Sequence, residues 1–380
     1  MVNIKRSQCF CRKKVLFVAG LSRSFLYFRW HLMLDFQKKG FQVVACAPDE
    51  DQAVIAQLHK YNIIFAPIKL ERTKIGLFGE LLTCYQLYKL FRQHHPEIVI
   101  SYNIKPVIYS SISARLAGVN SIYSVITGLG YVFIGQTIQV RILRFFVKHA
   151  YKLALFFNEK IFFLNADDQK LFCDNKLVNE QQTLLINGEG VDLEYYAPKP
   201  FPNVCTFLFI GRFIKDKGIY EYLLAAREIK KKYPLVLFKL VGCYDSNPAA
   251  IEQSYLLDFI VEGTVKNCGF LDDIRPVLTN SSVFVLPSYR EGIPRSVLEA
   301  MSMGRPIITT DAPGCRETVR DKVNGFLVAI KDVHGLVDAM EKFIINQALI
   351  VQMGQESRRI AEEKYDVNKV NDVILAAVNV

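Results

Sequence analysis

Thirteen short, almost unbroken apolar runs, separated by stretches of helical periodicity, constrain this sequence more than any other feature. In the first half they are KVLFVA (14–19), QVVACA (42–47), IIFAPI (63–68), EIVISY (97–102), SIYSVI (121–126), KIFFLN (160–165) and TLLIN (183–187). In the second half they are CTFLFIG (205–211), LVLFKLVG (235–242), VKNCGF (265–270), SVFVLP (282–287), PIITT (306–310) and GFLV (325–328). Strands without polar alternation are buried on both faces, which requires helices above and below a parallel sheet. A chain of 380 residues is long for one core and comfortable for two. APKPFPNV (197–204), with three prolines, is the natural linker. The expected fold is α/β: two doubly wound Rossmann-like domains, 1–197 and 198–364, facing across a cleft that takes a ligand. YDVNKVNDVILAAV (365–378) reads as a terminal helix.

Charge narrows the partners. Residues 1–200 carry 25 Lys and Arg against 15 Asp and Glu, whereas residues 201–380 carry 22 of each. The whole excess of +10 therefore lies in the first half and points to an anionic partner there. Nucleic acid is not expected, because the basic excess comes with no recognised binding motif. Nine cysteines show no CxxC pair and no histidine at metal-ligand spacing, which suits a reducing cytoplasm. No stretch reaches the ~18 apolar residues of a spanning helix. The apolar run after KRSQCFCRKK has only a strand's length and no small-residue cleavage site, so no signal peptide is expected.

The residues with the clearest chemistry lie in SYREGIPRSVLEAMSMGRPIITTD (288–311). SYREGI is a turn after strand 282–287, and PRSVLEAMSM is a helix. Pro294 suits its first position and Gly304 the left-handed residue past its end. Glu291 then lies in the mouth of a strand-to-helix turn, and Glu299 about one and a half turns into the helix. The amides of 295–297 open into the same mouth and form an anion site. One carboxylate beside that site, and another deeper in that accepts both hydroxyls of a ribose, is what a nucleotide sugar requires. Upstream, in FLFIGRFIKDKGIYEYLLAA (207–226), Arg212 and Lys217 flank a short loop between Gly211 and Gly218. Two cations at a strand's carboxyl end neutralise a diphosphate leaving group in place of a metal ion.

In the first half, Gly20 follows the first strand, where a glycine lets backbone approach a substrate; a plain turn explains it too. Ser22, Arg23 and Arg29 are candidates for phosphate. IQVRILRFFVKHAYKLALFF (138–157) places Arg141, Arg144, Lys148 and Lys152 at spacings of three and four, beside Phe145, Phe146, Leu153 and Phe156. This basic amphipathic helix suits an anionic membrane surface. A core helix with one wet side fits the same pattern, and the charge asymmetry tilts the balance towards the membrane. His149 reads as a packing residue.

EGIP, VLEAM, GRPII and PGCRE, between Pro287 and Glu317, resemble the glutamate–seven–glutamate signature of family 4 retaining glycosyltransferases, which have the two-domain GT-B fold. GR…KG, with Arg212 and Lys217, is similar to that family's diphosphate-binding motif. The resemblance implies a catalytic set of Glu291, Arg212 and Lys217. The donor site it implies comprises Gly20, Gly211, Phe270, Leu271, Gly292, Ile293, Pro294, Ser296, Val297 and Glu299. Phe270 and Leu271 stand where the family offers backbone groups to the nucleotide base, while Asp272 and Asp273 begin the next helix. PDED (48–51) contains the D-x-D pattern of metal-dependent sugar transferases. It also opens a helix, where acids complement the dipole, so capping is the reading taken and no metal is expected.

IKPVIY and TGLGYVF, within 104–133, resemble a subgroup that extends polyprenyl-diphosphate-linked glycans. For the acceptor this implies Arg23, Asn103, Lys105, Gly128 and Gly130, with Lys105 on a phosphate and the glycines in a loop close to substrate. A tight turn is the plain reading of Gly128 and Gly130. Many members of the family carry a histidine near Asn103, which this chain lacks. The resemblance also implies that the terminal helix (365–380) crosses back to the first domain. The expected reaction moves a hexose or N-acetylhexosamine from a UDP-sugar to a lipid-linked saccharide in surface-glycan assembly, retaining the anomeric configuration. It needs no cofactor and takes place on the inner, cytoplasmic face of the cell membrane. No covalent nucleophile with an activating base stands out. The resemblance implies front-face attack, with the leaving phosphate oxygen helping to remove the acceptor proton. A GT-B sugar-nucleotide epimerase and a non-catalytic nucleotide-sugar-binding protein are the other two readings.

Overall fold

A computed structural model of the chain describes residues 13–70, 77–129, 133, 137–244 and 249–380. They form two compact units: Met1–Phe162 with Phe172–Leu184 and Ile374–Val380, and Phe163–Leu171 with Leu185–Val373. Every apolar run becomes a strand, most of them shorter at the ends than the run itself. The first sheet holds β1 (Lys14–Val18), β2 (Gln42–Ala47), β3 (Ile64–Pro67), β4 (Ile98–Tyr102), β5 (Ser121–Ile126), β6 (Lys160–Phe163) and β7 (Thr183–Leu185). The second holds β8 (Thr206–Ile210), β9 (Leu237–Val241), β10 (Lys266–Asn267), β11 (Val283–Leu286), β12 (Ile307–Thr310) and β13 (Gly325–Val328).

Both sheets are wound in one order. The first runs β3-β2-β1-β4-β5-β6-β7 and the second β10-β9-β8-β11-β12-β13. The pairings on either side of β1 and β8 are parallel. Burial explains why the strands read as unbroken apolar runs: Val15, Leu16, Phe17 and Val18 are all fully buried, as are Phe207, Leu208 and Phe209. Helices cover both faces. Leu87, Phe91 and Ala114 pack on β1 and β4 in one unit, and Tyr222, Ala226, Met340 and Phe343 pack in the core around β8 and β11 in the other. Strand order reverses at β1/β4 and at β8/β11. Open parallel sheets bind ligands at such reversals, outside the carboxyl ends of the strands.

Two local details differ from expectation. Pro294 is the N-cap, with φ −74° and ψ 113°, and the helix starts one residue later, at Arg295–Ser302. VKNCGF yields only the two residues of β10, because Gly269 turns the chain with φ +69°. Gly304 takes the expected left-handed conformation, φ +74°. Beside it, the buried Arg305 of GRPII is a staple. Its guanidinium donates to the carbonyls of Leu278, Thr279 and Pro200 and lies 4.5 Å from the Phe201 ring centre, which ties the proline-rich segment 197–204, itself part of the second unit, to that unit's core. Burial lowers its pKa to about 10.

Candidate active site

In the second unit, neighbouring strands β8 and β11 deliver their loops side by side, about 5 Å apart. After β8, the Gly211 amide bonds to Val241 O at 3.0 Å, and Arg212 is exposed. One helical turn, Lys215–Lys217, precedes Gly218, which has φ +72° and opens the helix Ile219–Lys232. A Cβ at Gly218 would run into the carbonyl of Pro287, so glycine is needed for both its conformation and its close approach to the neighbouring loop. The loops are also bonded directly. Asp216 O accepts the Tyr289 amide and the Ser288 hydroxyl, both at 2.9 Å. Lys217 Nζ makes an ion pair with Glu291 Oε1, and both side chains are largely buried.

The backbone that carries Glu291 is held from several sides. Its amide donates to Pro313 O at 2.9 Å, and Gly314, φ +80°, packs against the carbonyls of Glu291 and Gly292. Those carbonyls accept from Asn165 Nδ2 at 3.3 and 2.9 Å. Arg290 forms an ion pair with Asp168, whose side chain is wholly buried; burial raises the Asp168 pKa and the guanidinium partly offsets this. Asn165, Asp168 and Arg290 are absent from the residues picked out by sequence.

The helix Arg295–Ser302 carries the second glutamate. Glu299, 8% exposed, pairs with Arg295 Nε at 3.0 Å and accepts from the Tyr196 hydroxyl. Burial raises its pKa, and the two donors oppose that rise. Tyr196, just before the proline-rich segment 197–204, is a partner of Glu299 that sequence reasoning missed. Ser296 Oγ reaches Ile210 O at 3.4 Å and so ties the helix to the end of β8. Val297 leaves the expected anion site: its amide donates to Pro294 O at 3.0 Å in a tight first turn, and its side chain is fully buried. Ile293 packs against Gly188, and Gly292 and Pro294 are buried. Phe270, 55% exposed, and Leu271, partly packed on the core, follow β10 on the same carboxyl edge. They lie two strands from β8, about 10 Å away. Asp273 accepts the Arg275 amide at 3.0 Å, as an acid opening a helix should.

In the first unit, the switch point brings Gly20 and Asn103 together. The Gly20 amide reaches Asn103 Oδ1 at 3.4 Å, and Asn103 Nδ2 donates to Thr127 Oγ1 at 3.1 Å, which links the ends of β1, β4 and β5. Asn103 has φ +71°, an uncommon conformation for a residue with a side chain. Most of the other candidates here have partners within the unit. Ser22 gives both its amide and its hydroxyl to Asp49, at 2.7 and 2.5 Å. Arg23 pairs with Asp51 at 2.8 Å, and Asp51 also caps the helix Gln52–Lys60 through the Ala53 and Val54 amides, which is the capping reading of PDED. Arg29 is buried, lies 4.0 Å from the Tyr102 ring centre and donates to Ser24 O, so it packs instead of facing a phosphate. Lys105 pairs with Glu80 at 2.8 Å, with both side chains under 20% exposed. Gly128 has φ +144° and precedes the buried Leu129, while Gly130 lies outside the described residues.

The helix Ile138–Phe156 has three faces. Val140, Tyr151, Ala154 and Leu155 are buried in the unit. On the opposite side Ile138, Ile142, Phe145, Phe146, Leu153 and Phe156 are each more than half exposed. Arg141, Arg144, Lys148 and Lys152 run along one edge of that apolar stripe, and the His149 ring lies tilted against Phe145 with 4.3 Å between centroids. Among the described residues no helix is long and apolar enough to cross a membrane.

Residues 14–165 match the family described as "Glycosyl transferase 4-like", and residues 204–346 the one described as "Glycosyl transferases group 1". The chain is similar to the N,N'-diacetylbacillosaminyl-diphospho-undecaprenol alpha-1,3-N-acetylgalactosaminyltransferase of Campylobacter jejuni, with 24% identity over 93% of this chain and 95% of that one. It is also similar to the UDP-Gal:alpha-D-GlcNAc-diphosphoundecaprenol alpha-1,3-galactosyltransferase of Escherichia coli, with 25% identity over 79% of each. Among solved structures it resembles Anabaena Alr3699/HepE in complex with UDP, with a TM-score of 0.76 and 17% identity over 96% of this chain and 99% of that one.

Proposed function

Because this chain belongs to the family 4 glycosyltransferases, enzymes of the GT-B fold, we propose that it moves a hexose or N-acetylhexosamine from a UDP-sugar to a polyprenyl-diphosphate-linked saccharide, with retention. The observation that carries this reading is the joining of Lys217 and Glu291 across two loops at the β8/β11 switch point. It is supported by the two relatives whose names specify undecaprenyl-diphosphate acceptors.

In this reading Arg212 and Lys217 neutralise the diphosphate. Glu299 takes the ribose hydroxyls, and the backbone at Phe270 and Leu271 takes the base. Glu291 orients the sugar through its hydroxyls. As the bond from the anomeric carbon to the phosphate oxygen breaks, charge builds on that oxygen. A pre-placed ammonium stabilises it without reorganisation, so no metal is required of the mechanism. The acceptor hydroxyl attacks from the same face. Its proton passes to the departing phosphate oxygen, the new glycosidic bond forms, and UDP leaves. The chain's own contribution is orientation and charge. The acceptor meets the first unit near Gly20, Asn103 and Gly128; Arg23 and Lys105, which pair with Asp51 and Glu80, keep further N–H donors for its phosphates.

The exposed apolar stripe of Ile138–Phe156, edged by four cations, rests on an anionic membrane surface in this reading. In this reading the work is done on the cytoplasmic face, where both a nucleotide sugar and a lipid-linked acceptor are at hand. A panel of UDP-hexoses and UDP-N-acetylhexosamines, offered with a polyprenyl-diphosphate N-acetylhexosamine and read by mass, tests the proposal. One donor should lengthen the acceptor by one sugar. Conversion of the donor without acceptor would mean an epimerase, and binding without any product would mean a non-catalytic protein.

A further inference from the structure

Asn165 and the Asp168–Arg290 pair have no place in the chemistry above, yet they occupy the back of its central loop. Asn165 is 1% exposed and uses both ends of its amide: Nδ2 serves the carbonyls of Glu291 and Gly292, and Oδ1 accepts the Asp168 amide at 2.8 Å. Asp168, wholly buried, has its Oδ1 on Arg290, while its Oδ2 and the Arg290 Nε are buried without a hydrogen-bond partner. A pair placed like that is poor value for stability, since an apolar pair of equal volume would avoid desolvating two charges. What it does achieve is registry. The side chain of Arg290, the amide of Glu291 and the carbonyls of Glu291 and Gly292 are all fixed from behind, by Asp168, Pro313 and Asn165. The Glu291 carboxylate is left facing Lys217.

We infer that Asn165, Asp168 and Arg290 are positioning residues that set where the Glu291 carboxylate stands and hence how the donor sugar is oriented. This rests on the donor-site reading of Glu291. A loosened loop still binds UDP, because the ribose and diphosphate are held by other residues, but it presents the sugar poorly. The cost therefore falls on kcat.

The test is a double-mutant cycle with Asn165→Ala and Glu291→Ala. Turnover is measured with the UDP-sugar that the donor panel selects, UDP affinity by calorimetry, and melting temperature alongside. Asn165→Ala should lower kcat ten- to a hundredfold with UDP affinity changed less than about threefold, and should have no further effect in the Glu291→Ala background. The same factor in both backgrounds would overturn the inference, and so would parallel loss of UDP affinity and melting temperature. Full activity in Glu291→Ala would instead remove the donor-site reading itself. Should Asn165→Ala not fold, Asn165→Ser and the near-isosteric Asp168→Asn carry the same cycle.

Discussion

Lys217 and Glu291 stand 74 positions apart and form one ion pair, the first closing the loop after β8 and the second leading out of β11. Lys217 has three donor hydrogens, so it can keep Glu291 and still meet a phosphate.

The first expectation concerns charge at the leaving group. Lys217→Ala should lower turnover about a hundred- to a thousandfold, the usual cost of removing one pre-placed donor from a developing oxyanion. Arg212→Ala should fall in the same direction. Near-normal donor consumption in both variants would remove these two residues from catalysis.

Glu299 should reveal itself through pH. Burial raises its pKa, so as pH falls it takes up a proton earlier than an exposed glutamate, and the acceptor for ribose hydroxyls is lost. UDP affinity should therefore drop with an inflection above the ordinary value of 4.5, and Glu299→Gln should bind UDP weakly at every pH without that inflection. The stability effect has the opposite sign. A raised folded pKa gives a contribution that is full below the unfolded value and is lost as pH rises through the folded one. Calorimetric titrations with UDP at several pH values, on both proteins, check the first part, and melting curves check the second.

Gly218→Ala tests the backbone. The left-handed conformation and the approach to the Pro287 carbonyl together should cost about 1–3 kcal/mol and push the two loops apart. Lower melting temperature accompanied by lost UDP binding is expected. Unchanged binding would mean that the loops tolerate separation.

On the helix Ile138–Phe156, Phe145→Glu with Phe146→Glu should abolish sedimentation with phosphatidylglycerol vesicles while leaving turnover on a water-soluble acceptor intact. Both side chains are about 60% exposed, so the fold should not suffer. Undiminished vesicle binding would transfer the anionic partner to another surface.

Arg305→Ala should cost ~3 kcal/mol, since the carbonyls of Leu278, Thr279 and Pro200 lose their donor inside the protein. Chemical denaturation measures this directly.

Much of the fold was legible because it is written in local pattern. Strands buried on both faces are unbroken apolar runs, and β11 with its following helix can be read from Val283 to Gly304 without knowing anything distant. Lys217, Gly218, Glu291 and Glu299 sit in such local units, so they could be singled out. Asn165 could not, because it binds backbone carbonyls 126 and 127 positions away, and any backbone offers carbonyls. The partners of Arg23 and Lys105 were not legible, for one reason. A cation is visible in a sequence, but the acid that occupies it, Asp51 or Glu80, lies 28 or 25 residues off with nothing to mark the pairing. The Val297 amide was misplaced for a smaller reason, a tightened first turn that Pro294 alone does not announce.

The Asp216 carbonyl, bonded at once to the Tyr289 amide and the Ser288 hydroxyl, has a practical bearing on enzyme engineering. Segments 211–218 and 287–294 behave as one cassette. Transplanting either alone from a homologue with another sugar preference would leave a mismatched seam, whereas exchanging both together keeps the splice intact.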